Sequence, residues 1–214
     1  MSAKKPLKCL LLFSILTSFS ACHAQHEKNP PADKIVGGPC EGCEAIYEYG
    51  NKSLKSIDTL PGFDLNQPQL KITGNVFKKD GKTPAPNVII YIYHTNRKGI
   101  YETKGDEKGW AKRHGLHRGW IKTDENGHYT FYTFRPGAYP DGSEAEHIHI
   151  TIKEPDKNEY YLDEFYFSDD PLFTDKFKKR LQNRGGSGIV KPIRQYGMLT
   201  IERDLILGLN IPNY

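Results

Sequence analysis

The residues best suited to chemistry are the pair in His147-Ile148-His149. In a strand, successive side chains point to opposite faces, so both imidazoles project from one face about 6.5–7 Å apart at Cα, with Ile148 and Ile150 on the other. Two such rings can converge on one metal, but an HxH pair does not close a site, and further ligands are needed. Tyr101 and Tyr139 are candidates because each sits in a glycine-containing, loop-like stretch, Lys98-Gly99-Ile100-Tyr101 and Arg135-Pro136-Gly137-Ala138-Tyr139-Pro140. The chain has 13 tyrosines, and the ordinary reading of any one is a core or rim aromatic with a satisfied hydroxyl. Residue types alone leave both readings open.

The elements that must position these side chains read as short strands separated by turn chemistry, the pattern of a sandwich or barrel. Strands are predicted over 71–77, 88–94, 119–123, 128–134, 146–153, 160–167 and 199–207. Asp124-Glu125-Asn126-Gly127 reads as a hairpin turn, because Asn-Gly tolerates the positive φ such a turn demands. A short helix is expected over 174–183, followed by the break Gly185-Gly186-Ser187-Gly188. The fold class expected is all-β, an antiparallel β-sandwich with long active-site loops and one short C-terminal helix.

An ordered set of segments between Ile72 and Asp170 resembles the intradiol ring-cleavage dioxygenases, the catechol and protocatechuate dioxygenases. The segments are Gly74-Asn75-Val76 with Asp80-Gly81, Pro84-Ala85-Pro86-Asn87-Val88, Tyr91-Ile92-Tyr93-His94, Gly99-Ile100-Tyr101, Arg118-Gly119-Trp120, Thr123 to Tyr129, Phe134 to Pro140, His147-Ile148-His149 and Tyr166 to Asp170. The resemblance implies that Tyr101, Tyr139, His147 and His149 hold one Fe(3+), and that the substrates are a catechol-type ring and dioxygen. It further implies that Tyr139 leaves the metal when substrate binds and helps to accept its protons. Such a donor set suits ferric iron, a hard cation whose charge keeps a bound phenol ionised. Two phenolates reduce its charge from +3 to +1.

The sequence departs from that family at two positions beside the substrate ring. Where catalytic members carry an arginine three residues before the first histidine, this chain has Glu144; where they carry a glutamine on the next strand, it has Glu164. Each change removes a group suited to an electron-rich ring and adds a carboxylate, unless the loop holds Glu144 outside the pocket. The segment Trp110 to Trp120 is rich in cations and indoles. Arg118 is its candidate for a replacement arginine, whereas His114 and His117 read as surface histidines. Two functions follow: a ferric ring-cleaving enzyme, with Arg118, Tyr139, Glu144 and Glu164 at the reacting centre, or a non-catalytic envelope module that keeps the fold and possibly the iron.

The N-terminal residues carry Lys4, Lys5 and Lys8, then an apolar run from Leu10 to Leu16, the form of an export signal. The run falls short of the about 20 apolar residues that span a bilayer. Phe19-Ser20-Ala21-Cys22 resembles a bacterial lipobox, which would acylate Cys22 and anchor the protein to the envelope; the alternative is cleavage after Ala24. The organisation expected is a signal over 1–21, a lipidated N-terminus and tether over 22–45, and one sandwich domain over 46–214. Without the signal's three lysines, 27 basic residues face 26 acidic ones, which gives no footprint for nucleic acid. Any membrane contact is expected through the anchor alone. Cys40 and Cys43 cannot complete a zinc site, and in an oxidising compartment they form a local disulfide or remain two thiols.

Overall fold

The structure is a computed structural model that describes residues 35–214. The signal, the lipobox and Cys22 lie outside the described residues. Among the described residues no helix is long and apolar enough to cross a membrane.

Among the described residues, twelve strands form two six-stranded sheets. The first contains β1 (Ile57–Thr59), β2 (Gln69–Phe77), β5 (His128–Phe134), β10 (Ile193–Gln195), β11 (Met198–Glu202) and β12 (Leu205–Ile206); its order is β1-β5-β2-β11-β10, with β12 also on β2. The second contains β3 (Ile89–Tyr93), β4 (Arg118–Lys122), β6 (His147–Lys153), β7 (Tyr160–Tyr161), β8 (Phe165–Phe167) and β9 (Ile189–Val190), in the order β4-β3-β6-β8-β9, with β7 on β6. The central pairings β2–β5, β3–β4 and β3–β6 are antiparallel. Four pairings, β1–β5, β11–β2, β12–β2 and β8–β9, run parallel.

The sheets share one core. Leu70, Ile72 and Val76 from β2 and Phe131 from β5 meet Ile90 and Ile92 from β3 and Ile148, Ile150 and Ile152 from β6. Burying each such aliphatic side chain contributes roughly 1.5–3 kcal/mol, and a one-residue slip would turn all three β6 isoleucines out of this core. The register of β6 is thereby fixed. The alternation that sends its isoleucines inward sends His147 and His149 to the outer face of the second sheet, under the loops.

Several elements differ from the sequence reading. The turn at Asp124–Gly127 forms, with the Gly127 amide donating to the Asp124 carbonyl at 3.0 Å, but it is not a hairpin. It carries the chain from β4 in one sheet to β5 in the other, because β4 pairs with β3 while β5 pairs with β1 and β2. The strand expected over 160–167 is interrupted where the Asp163 carboxylate accepts the amides of Asn183 and Arg184 at 2.7 and 3.2 Å. The short C-terminal helix is one turn, α2 (Asp175–Lys178), capped by Thr174. A second single turn, α1 (Ala111–His114), was not anticipated.

Of the residues expected as tether, those from 35 onward lie against the body. The Val36 amide donates to Asn158 Oδ1 at 3.1 Å, and the Gly37 amide donates to the Pro212 carbonyl at 2.7 Å. A 3-10 helix, Cys43–Tyr47, buries Ala45 and Ile46 against Tyr91 and Trp120. Cys40 and Cys43 form a disulfide with Cα atoms 5.6 Å apart.

Candidate metal centre

Two loops bring the tyrosines to the histidine face. In the loop after β3, Asn96 Oδ1 accepts the amides of Lys98 and Ile100, which folds the chain tightly before Tyr101. In the loop after β5, the Gly137 amide donates to the Asn96 carbonyl at 3.0 Å, and the Thr95 hydroxyl donates to the Gly137 carbonyl at 2.8 Å. The loops approach so closely that a Cβ on Gly99, whose φ is 75°, would lie 1.9 Å from the Ala138 carbonyl oxygen. Only glycine fits there. Arg135 then ties the Tyr139 loop to the sheet by pairing with Glu146 at 2.5 Å and with Asp169 at 2.8 Å.

The result brings Tyr101, Tyr139, His147 and His149 together. The hydroxyls of Tyr101 and Tyr139 are 2.8 Å apart, Tyr101 Oη is 2.7 Å from His149 Nε2, and His147 Nε2 is 3.0 Å from His149 Nε2. Bonds of about 2.0–2.1 Å to one metal, at right angles, leave donors about 2.9 Å apart, so this spacing fits ligands on one ion. Among the described residues no group of three or more His, Cys, Asp or Glu side chains is arranged to hold a metal. An ion here would therefore need the tyrosines.

Proton placement supports the same conclusion. His147 Nδ1 faces the Ala145 carbonyl at 2.6 Å, and that oxygen can only accept; His149 Nδ1 faces the Glu164 carboxylate at 3.4 Å. Each neutral ring thus carries its proton on Nδ1 and turns an Nε2 lone pair inward. Two lone pairs facing at 3.0 Å repel, and a cation between them relieves the repulsion. Burial lowers the His147 pKa to about 4, which favours its neutral, ligating form. Burial, with the Tyr139 hydrogen bond, raises Tyr101 far above the usual phenol range. Burial also raises Tyr139. These phenols need a strong cation to ionise. Burial works to raise the Glu164 carboxyl, but the effects opposing it, led by the hydrogen bond from His149, hold the pKa at about 2.

The remaining candidates are placed as follows. Glu144 and Glu164 border one cavity of about 230 Å³, together with Tyr166, Phe177 and Arg180. Arg180, which the sequence did not single out, lies 3.6 Å from Glu144 and 4.0 Å over the Phe177 ring. Arg118 is drawn elsewhere: it donates to Glu48 at 2.7 Å and stacks on Trp120, and the four-residue cluster is not among its partners. His114 and His117, read as surface residues, are both buried. His114 stacks on Tyr93 at 3.8 Å, and Tyr93 stacks on His149 at 4.3 Å, so these rings form a wall behind the cluster. The unanticipated turn α1 puts His114 there, and its spacing of four residues from Trp110 was the available signal.

Comparison with known proteins bears on the family and the fold. Residues 52–191 match the family model described as dioxygenase. The chain is 31% identical over 110 residues to the protocatechuate 3,4-dioxygenase beta chain of Burkholderia cepacia, covering 49% of this chain and 46% of that one. It is 40% identical over 78 residues to catechol 1,2-dioxygenase of Acinetobacter baylyi, covering 36% and 24%. The chain thus spans less than half the length of both. In fold it is similar to catechol 1,2-dioxygenase from Acinetobacter sp. ADP1, with a TM-score of 0.54 and 23% identity over 72% of this chain and 58% of that one. It is similar also to 3-chlorocatechol 1,2-dioxygenase from Rhodococcus opacus 1CP, with a TM-score of 0.54 and 17% identity over 79% and 68%. With a family match that covers most of the chain and a sandwich of the same kind, this protein belongs to the intradiol ring-cleavage dioxygenases.

Proposed function

We propose that the protein is a non-haem Fe(3+) dioxygenase that opens a catechol-type ring between its two hydroxyl-bearing carbons. The observation that carries this reading is the convergence of two phenol oxygens and two imidazole nitrogens at 2.7–3.0 Å. When bound, ferric iron would supply the charge that holds a catechol as its dianion and makes the ring reactive towards dioxygen. His147 and His149 hold that position from the rigid strand β6, with Nδ1 protons committed to the Ala145 carbonyl and to Glu164. The half-buried Tyr139, on a loop, is the donor best placed to swing aside, and its phenolate would take a proton from the incoming catechol. The rings of His114, Tyr93 and His149 stack in turn, which helps to hold the plane of the His149 imidazole.

Iron analysis, a visible spectrum and oxygen uptake with catechol test this reading. One ferric ion per chain, a ferric-tyrosinate colour and uptake of dioxygen with loss of the catechol support it. Colourless protein after growth in iron overturns it, and coloured protein that binds catechol without oxygen uptake turns the assignment to the non-catalytic envelope module. Export and anchoring at Cys22 belong to the same proposal, resting on the lipobox sequence. Cys22→Ser should release the protein from the membrane fraction, and a native N-terminus at Gln25 would show plain secretion instead.

A further inference from the structure

The disulfide-closed segment at residues 39–43 has no part in the iron-binding reading, yet it lies beside the candidate centre. It precedes the stretch that matches the family model, residues 52–191. A second cavity of about 230 Å³ is lined by Pro39, Cys40 and Cys43 together with Tyr93, His149 and Glu164. This cavity shares Tyr161 and Glu164 with the one bordered by Glu144, so the two flank Glu164. The segment also packs onto the sheet that carries the histidines. Cys43 Sγ lies 3.9 Å from the hydroxyl of Thr151, two residues beyond His149 on the same face of β6. Gly42, at φ 90°, fits so closely that a Cβ there would lie 2.9 Å from His114 Nε2. His114 in turn stacks on Tyr93, and Tyr93 on His149.

We propose that the disulfide-clipped segment Pro39 to Cys43 is a wall of the catechol pocket and limits the size of the ring substituent that the site accepts. This rests on the reading of the Tyr–His cluster as an iron site for catechols. The crosslink restricts the segment's backbone, so little ordering remains to be done when a ligand seats against it. None of the four candidate ligands lies in the segment. Loosening it should therefore change ligand binding and leave iron in place.

The test is an anaerobic titration of the visible band of iron-loaded protein, which reads binding without turnover. The ligands are catechol and 4-tert-butylcatechol, and the proteins are wild type and Cys40→Ser/Cys43→Ser. Wild type is expected to bind catechol the more tightly. The double variant should keep the iron and its band, bind catechol about tenfold more weakly, because a loosened loop must be ordered on binding, and show a smaller gap between the two ligands. An iron-loaded variant with both dissociation constants unchanged overturns the wall while leaving the iron site intact. A wild type whose band responds to neither ligand overturns the catechol reading and the wall with it. If the double variant fails to fold, Gly42→Ala, which displaces the segment with its disulfide intact, decides: weaker binding supports the wall, and unchanged binding overturns it.

Discussion

His149 presents its Nδ1 atom to the Glu164 carboxylate at 3.4 Å, and Tyr166 donates its hydroxyl to the other Glu164 oxygen at 3.1 Å. Glu164 is thereby fixed on the strand side of the centre, and it orients the imidazole whose Nε2 faces Tyr101. Glu164 thus has a role towards the candidate ligand His149. Loss of such an outer partner typically weakens metal binding about 10–100-fold. Glu164→Ala is expected to lower iron affinity by that order, measured by competition with a chelator, whereas Glu164→Gln, which keeps an acceptor oxygen, should lose less.

Tyr101→Phe should remove most of the iron and the visible band, because a phenyl ring offers no oxygen donor. Tyr132→Phe is the control: Tyr132 lies on β5 with its ring edge-on to Phe63, 5.8 Å away, and its loss should leave the iron in place. Iron content and the absorption spectrum of both variants check this.

Substrate charge should be read through Glu144. A like-charge contact at about 4 Å costs roughly 4 kcal/mol at an effective dielectric near 20, before relaxation. Arg180 beside Glu144 and partial exposure reduce this to the order of 1 kcal/mol, still several-fold in rate. Plain and aminoalkyl catechols should be turned over faster than protocatechuate. Glu144→Arg should shift the ranking towards the carboxylated ring, and Arg180→Ala should widen the original preference. Steady-state oxygen uptake on the three substrates decides, and a ranking that neither substitution moves would show that these side chains do not face the ring.

Acid should weaken the fold through His94. This ring is buried, with Nδ1 2.7 Å from the Thr95 carbonyl and Nε2 2.7 Å from the Thr133 hydroxyl. Burial depresses its pKa from 6.5 to about 3. The unfolded chain takes up the proton first, so the stabilising effect is complete above about pH 6.5 and is lost as pH falls from there towards 3. In His94→Gln, stability at pH 7 should fall, and the slope of unfolding free energy against pH near pH 5 should drop by about one proton. Urea unfolding at several pH values measures both.

The sequence by itself determined the strands of strong alternation and the face on which His147 and His149 lie, because a period of two with three buried isoleucines permits only one register. It also determined the family, through ordered motifs that no single residue type could specify. Only the tertiary structure decided how Tyr101 and Tyr139 reach that face, since this depends on two loops meeting at Gly99 and Gly137 from strands in different sheets. It alone paired Arg118 with Glu48 and Arg180 with Glu144, and it buried His114 behind the centre and His117 against His94 and Phe134. Those outcomes rest on contacts between residues far apart in the chain, for which local pattern carries no signal. The turn at Asp124–Gly127 has the same lesson at small scale: its chemistry fixed a reversal, but which sheet received the next strand was settled by the packing of β5 against β2.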